Sequence, residues 1–249
     1  MRPLGCLFDP PGEGRGEPLA RLAAVSAART IPFAATLQNH ITLIDDQIGN
    51  ECVGQALAQC LRIRSHIDGR PIDPSWTAIY AVARSLEHPS AHTLADVGSF
   101  PFRGIEGLSD WGVVARRRWP GDVDHTLPVP VDVLEAGALA YITGEYRIGD
   151  EREVQIKQAI CVGHPVFFAM SVDASYQHYS GGLWRGMSGP SMGGHAQCIV
   201  GYDEDGVIVA NSWGLGWGEG GLSRISWDAI ASADCTNFYV ITHAPLEVV

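Results

Sequence analysis

The chain has 249 residues, 46% of them hydrophobic, and a formal net charge of −11. That is enough apolar material to bury a full core, as one large domain or as two lobes around a cleft. The acidic balance argues against a nucleic-acid surface, which needs clustered Lys and Arg, and no apolar stretch approaches the roughly 18 residues of a membrane span.

Residues 1–18 are rich in Pro, Gly and charge and read as an arm without structure of its own. Their apolar stretch is too short for a secretory signal and is soon broken by Pro10 and Pro11, so the chain reads as soluble and cytoplasmic. A short helix is expected over 19–29. From Val53 to Ile67 the apolar residues Val53, Ala56, Leu57, Cys60, Leu61 and Ile63 fall at helical spacing. Asp73-Pro74-Ser75 opens a second helix that runs to about Leu86, and a third covers Phe102 to Trp111 before Gly112. The only basic run, Arg116-Arg117-Arg118, reads as a solvated face or an ion-pair partner.

After Pro130 the pattern turns to strands. Residues 139–143 and 146–148 look like strand material, a helix spans about 150–162 up to Gly163, and Pro165 to Met170 is an unbroken apolar strand. Residues 197–202, 207–211 and 222–225 read as successive antiparallel strands, with Asp203-Glu204-Asp205-Gly206 as a hairpin turn. Helices first and strands later make an α+β chain whose halves can wall a cleft. The division expected is an arm with a short helix over 1–36 and one domain over 37–249, helical to about 130 and β-rich from 131.

Six cysteines (Cys6, Cys52, Cys60, Cys161, Cys198 and Cys235) are scattered along a chain without an export signal, which favours reduced thiols. Cys60, Cys161 and Cys198 lie in apolar contexts where a free Cys packs as a small hydrophobe. No Cys or His spacing fits a zinc site, and no cofactor is expected.

Three segments carry chemistry. His195 opens His195-Ala196-Gln197-Cys198, and sixteen positions later stands Asn211-Ser212-Trp213-Gly214-Leu215-Gly216-Trp217-Gly218-Glu219-Gly220-Gly221. Upstream lies Gln47-Ile48-Gly49-Asn50-Glu51-Cys52-Val53. A thiol, a distant His and an Asn in that order resemble the papain-like (C1) cysteine peptidases. The resemblance covers roughly residues 37–241. It is closest in look to microbial members without a long propeptide, on the added evidence of Trp119-Pro120, Gly163-His164-Pro165-Val166 and Phe238-Tyr239-Val240-Ile241.

The resemblance implies a papain-like fold, helical in its first lobe and antiparallel in its second, with the active-site cleft between them. It implies Cys52 as nucleophile, His195 as acid and base, and Asn211 as the group that orients the imidazole. Gln47 and the Cys52 N–H would hold an oxyanion. Trp213 would shield the His–Asn contact, and Gly98, Ser99 and Gly194 would line the cleft where a substrate backbone adds as a strand. A thiol at the start of a helix facing an imidazolium is expected as an ion pair.

Three departures stand out. Five positions, rather than the family's six, take Gln47 to Cys52. Glu51 replaces a small residue, and would raise the thiol's pKa if it faced the sulfur. About fifty residues precede Cys52, too few for the long inhibitory propeptide of lysosomal members, so zymogen control of that kind is not expected.

Two functions follow. The first is a cysteine peptidase acting on polypeptides, with acyl transfer to an amine as a variant. The second is a papain-like module with weak or no activity in a homo-oligomer or larger, virion-like assembly, where a neighbouring subunit holds an arm that would otherwise fray.

Overall fold

The computed structural model describes residues 1–10, 13, 16–26, 30–121, 123–124 and 126–245. Helix α2 (Cys52–Ile67) organises the rest. Between Cys52 and Ile67 only Arg64, His66 and Ile67 escape full burial, so the helix is enclosed on all sides rather than amphipathic. Its one glycine has a packing reason: a Cβ at Gly54 would lie 2.3 Å from the Trp76 carbonyl oxygen, so only Gly lets α3 (Trp76–Glu87) approach this closely. Arg62 is buried beside it and held by Asp45 at 3.5 Å, Asp73 at 3.4 Å and the Gln59 side-chain amide oxygen, Oε1, at 2.7 Å.

Helix α3 starts one position after Ser75, whose hydroxyl accepts from the Ala78 N–H at 3.1 Å. Helix α4 (Pro101–Trp111) has Pro in its first turn and stops at Gly112, where φ is +76°. These three helices pack on one another and α2 also packs on the sheet. Two short helices, α1 (Ala23–Ser26) and α5 (Val131–Gly137), flank them. The helix expected over 19–29 is thus a 3-10 turn over Leu19–Arg21 followed by α1, with residues 27–29 outside the described part.

Among the described residues, nine strands form one mixed, mostly antiparallel sheet. They are β1 (Glu17–Pro18), β2 (Ala35–Thr36), β3 (Ala140–Arg147), β4 (Val166–Val172), β5 (Leu183–Trp184), β6 (Gly193–Tyr202), β7 (Gly206–Ala210), β8 (Leu222–Ser226) and β9 (Cys235–Pro245). The order across the sheet is β1-β3-β9-β4-β6-β7-β8-β5, with β2 also on β6. Helices α6 (Arg152–Cys161), α7 (Ala174–Gln177) and α8 (Trp227–Ala231) complete the chain.

The α+β expectation holds. The two strands expected over 139–148 are one strand, β3, whose register against β9 shifts between Ile142 and Gly144. Helix α5 stands where strand character was expected to begin, because Pro130 at φ −60° sets up a helix start. Among the described residues no helix is long and apolar enough to cross a membrane.

The arm corrects its own reading. It has little internal structure, but the described part is laid along the domain rather than free. Leu19 is buried, β1 pairs in parallel with Tyr146 and Arg147 of β3, and Cys6 bridges Ser99. What holds it is the same chain, through contacts that no neighbouring subunit supplies.

Candidate active site

His195 and Asn211 come together through sheet register. Cys198 pairs with Ala210 across β6 and β7, and continuing that register brings residue 195 opposite residue 213 with Asn211 between. The His195 ring lies on Trp213, centroids 4.3 Å apart at 19°, and both residues are fully buried. His195 Nε2 is 2.7 Å from Asn211 Oδ1. The same oxygen accepts from the Ser212 N–H at 2.8 Å, which fixes the amide's orientation. Nε2 therefore donates, and in a neutral ring Nδ1 carries the lone pair. Nδ1 has no hydrogen-bond partner among the described residues.

Cys52 is the first residue of α2 and is fully buried. The backbone N–H groups of Ala196, Gly5, Val53 and Cys52 itself lie near enough to the sulfur to favour its thiolate. The Ala196 contact places the sulfur beside the strand segment that carries His195. Glu51 is buried, but its carboxylate accepts from Gln55 Nε2 at 3.2 Å along the helix. Gln55 Nε2 is thereby occupied.

Gln47 is held from both ends by the Asn211–Trp213 segment. Its N–H donates to the Ser212 carbonyl at 2.8 Å, and its Oε1 accepts from the Ser212 hydroxyl at 2.5 Å. This turns Nε2 toward Gly49 O at 3.0 Å and Pro3 O at 3.3 Å. Nε2 thus has one carbonyl of the cysteine loop and one of the arm as partners. Ser212, which sequence reasoning passed over, is what orients the Gln47 amide.

Gly98, Ser99 and Gly194 flank the arm. Ser99 N–H donates to Gly5 O at 2.9 Å, Leu7 N–H donates to Ser99 O at 3.0 Å, and Cys6 N–H donates to Gly194 O at 3.0 Å. A Cβ at Gly98 would stand 2.1 Å from Gly5 O, and one at Gly194 2.2 Å from Cys6 O, so both glycines are where the arm's backbone approaches most closely. Residues 2–9 are pinned at both ends. Arg2 exchanges bonds with the Gln177 amide at 2.7 and 3.1 Å and pairs with Asp46 at 3.0 Å. Asp9 accepts from Phe102 N–H at 3.1 Å, Asn237 Nδ2 at 2.8 Å and the Tyr239 hydroxyl at 2.9 Å.

Burial sets the protonation states. It pushes the Cys52 thiol up to about 11, against the four N–H groups that favour the thiolate. It pushes the His195 imidazole down to about 4, against the Asn211 bond. With the arm in place the pair is therefore a neutral thiol and a neutral imidazole at pH 7. Both shifts run against the ion pair expected from the helix start, because burial of the thiol and of the imidazole outweighs the nearby N–H groups and the Asn211 bond. A cue to the arm's placement was present in Leu4-Gly5-Cys6-Leu7-Phe8, an apolar run inside a Pro- and charge-rich segment. Among the described residues no group of three or more His, Cys, Asp or Glu is placed to hold a metal ion.

Comparison with known proteins adds to this geometry. A family model described as papain family cysteine protease matches residues 131–241, which include His195 and Asn211 but not Cys52. Stem bromelain of Ananas comosus is 34% identical over 94 residues, 38% of this chain and 43% of that protein. An uncharacterized peptidase C1-like protein of Acanthamoeba polyphaga mimivirus is 27% identical over 225 residues, 83% of this chain and 71% of that one. The chain thus spans less than half the length of stem bromelain. Among solved structures, xylellain, a cysteine protease from Xylella fastidiosa, superposes with a TM-score of 0.79 over 97% of each chain at 23% identity. The bromelain protease of Ananas comosus, solved with the E64 inhibitor, gives 0.67 over 86% of this chain and 99% of that one at 21% identity. At these identities the structural likeness shows the fold.

Proposed function

We propose that the chain is a papain-family cysteine peptidase that hydrolyses peptide bonds through a thioacyl-enzyme on Cys52, from a form in which its own arm keeps it latent; the family model over residues 131–241 and the fold shared with xylellain support this reading. The observation that carries the reading is the joint placement of His195. Its Nε2 is committed to Asn211, its Nδ1 is unbonded, and the next residue's N–H lies near the Cys52 sulfur.

In the reaction, Nδ1 takes the Cys52 proton as the sulfur adds to the substrate carbonyl. Gln47 Nε2 and the Cys52 N–H are the donors available to the oxyanion. His195 then returns the proton to the leaving amine, and in the second half activates the water that releases the acyl group. Asn211 keeps the ring in the tautomer and plane this exchange needs. Trp213 keeps water from the His–Asn bond.

The arm accounts for latency. It runs parallel to the Ser99 segment and turns an N–H, from Gly5, toward the sulfur. An N–H is not an electrophile, so the arm occupies the cleft without offering a bond to cut. Short as it is, it covers what the length argument assigned only to a longer propeptide.

Iodoacetamide tests both parts. Full-length protein is expected to label slowly at Cys52 near neutral pH, and protein lacking residues 1–9 about a hundredfold faster, since two pKa units of thiol ionisation separate a value near 11 from an ordinary one. Peptidase activity should appear in the same trimmed sample and vanish with Cys52→Ala. Trimmed protein that labels fast yet cleaves no peptide library would favour the second function, a papain-like module used for binding.

A further inference from the structure

Of the six thiols, two meet outside the cleft. Cys60 lies on α2, two turns beyond Cys52, and Cys198 lies on β6, three residues beyond His195. Their sulfurs are 3.2 Å apart across the contact between helix and sheet. That is shorter than the roughly 3.5–4.0 Å of ordinary non-bonded carbon contacts. Both side chains are buried, at 3% and 0% exposure, which leaves the pair no competing polar partner from solvent. Cys161, by contrast, spends its sulfur on the Tyr202 hydroxyl at 3.0 Å, while Cys198 has besides Cys60 only the long contact to the Ile199 carbonyl at 3.8 Å.

We propose that Cys60 and Cys198 are a reversible modification site: an oxidisable dithiol whose disulfide staples α2 to β6 behind the nucleophile and the base. Bringing sulfurs from 3.2 Å to the bonded separation of about 2.05 Å asks for a motion of about 1.2 Å, within reach of side-chain rotation. The oxidant class is a hydroperoxide, small enough to enter a closed contact. With hydrogen peroxide, the smallest member of that class, one thiolate attacks a peroxide oxygen, the O–O bond breaks, and the departing hydroxide takes up the proton that thiol had released, giving a sulfenic acid and one water. The second thiol attacks that sulfur, the S–O bond breaks, and a second water leaves with the thiol's proton. Two electrons pass from the two sulfurs to the peroxide. An external thiol reverses the change by exchange.

Burial and the adjoining Cys60 hold the Cys198 thiol well above its ordinary value. The closed ring would join positions 138 residues apart, one from each wall of the cleft. Cross-links over so long a loop remove much of the unfolded chain's freedom.

The experiment needs no turnover, so its outcome is independent of the peptidase reading. Full-length protein is treated with hydrogen peroxide, unfolded, alkylated with iodoacetamide and digested without reductant. The expected result is a linked peptide pair carrying Cys60 and Cys198, lost after dithiothreitol. A rise in Tm of at least roughly 5 °C on oxidation should accompany it, and Cys198→Ala should abolish the rise. Recovery of Cys60 and Cys198 as separately alkylated peptides after oxidation would overturn the proposal, as would a link joining either of them to a different cysteine. The peptide map of the unmutated chain decides the matter even if Cys198→Ala folds poorly.

Discussion

The β6–β7 pair and the arm are two halves of the same cleft built on opposite principles. His195 is held in the β4–β6 ladder opposite Met170, and Asn211 and Trp213 follow directly on β7, which pairs with β6 from Cys198–Ala210 through a register shift between Ile199 and Gly201. The arm at residues 2–9 has no ladder of its own. It is placed by three backbone bonds to Ser99 and Gly194, by Arg2 at one end and by Asp9 at the other. A register cannot shift without moving every side chain to the other face, whereas a strap tied at a few points can be undone. The difference teaches where regulation can enter: through the strap, with the dyad left intact beneath it.

The largest effect that can sharpen this comparison lies in the register half. On protein lacking residues 1–9, His195→Ala is expected to reduce kcat/KM by at least about a thousandfold, because it removes the proton carrier. Asn211→Ala should cost roughly ten- to a hundredfold, because it only frees the ring's orientation. Equal losses in steady-state assays would mean that Asn211 has a different role.

Acid unfolding probes the same half through burial. His195 and His164 are both held down to about 4 in the folded chain, against an ordinary 6.5, chiefly by desolvation. The unfolded chain therefore takes up protons first as the pH falls. Stability is complete above about pH 6.5 and is lost between there and pH 4, on the order of 3 kcal/mol per histidine at the lower limit. Urea unfolding at stepwise pH measures it, and a flat profile over that range would contradict the burial of both rings.

The strap half should respond to a single anchor. Asp9→Ala leaves the Phe102 N–H, Asn237 Nδ2 and the Tyr239 hydroxyl without their acceptor. A loss of about 1–3 kcal/mol is expected, enough to raise iodoacetamide labelling of Cys52 about five- to a hundredfold in full-length protein. The trimmed protein, which has no Asp9, sets the ceiling. Labelling that stays at the full-length rate would show that Asp9 does not hold the arm.

Much of the fold was legible in the residues. Val53 to Ile63 announce α2 by spacing, Ser75 caps α3, Gly112 and Gly163 close their helices, and the turn at Asp203–Gly206 marks the β6–β7 hairpin. Helix α5 and the joining of 140–147 into one strand were not legible, because short apolar runs serve helix and strand alike and only packing against β9 selects. In the site, the order of Cys52, His195 and Asn211 pointed to thiol chemistry. Ser212 gave no signal, since its part depends on the Gln47 side chain 165 positions away.

By itself, then, the amino-acid order determined the helical and strand-bearing halves, the thiol, imidazole and amide that share a site, and the family these resemble. Only the tertiary structure decided that residues 2–9 lie across that site and that Cys52 and His195 are neutral beneath them. The reason is physical. Periodicity and capping act between near neighbours in the chain, but burial of the sulfur depends on what long-range folding brings beside it, here the Gly5–Cys6 segment, 47 and 46 positions before Cys52 in the sequence.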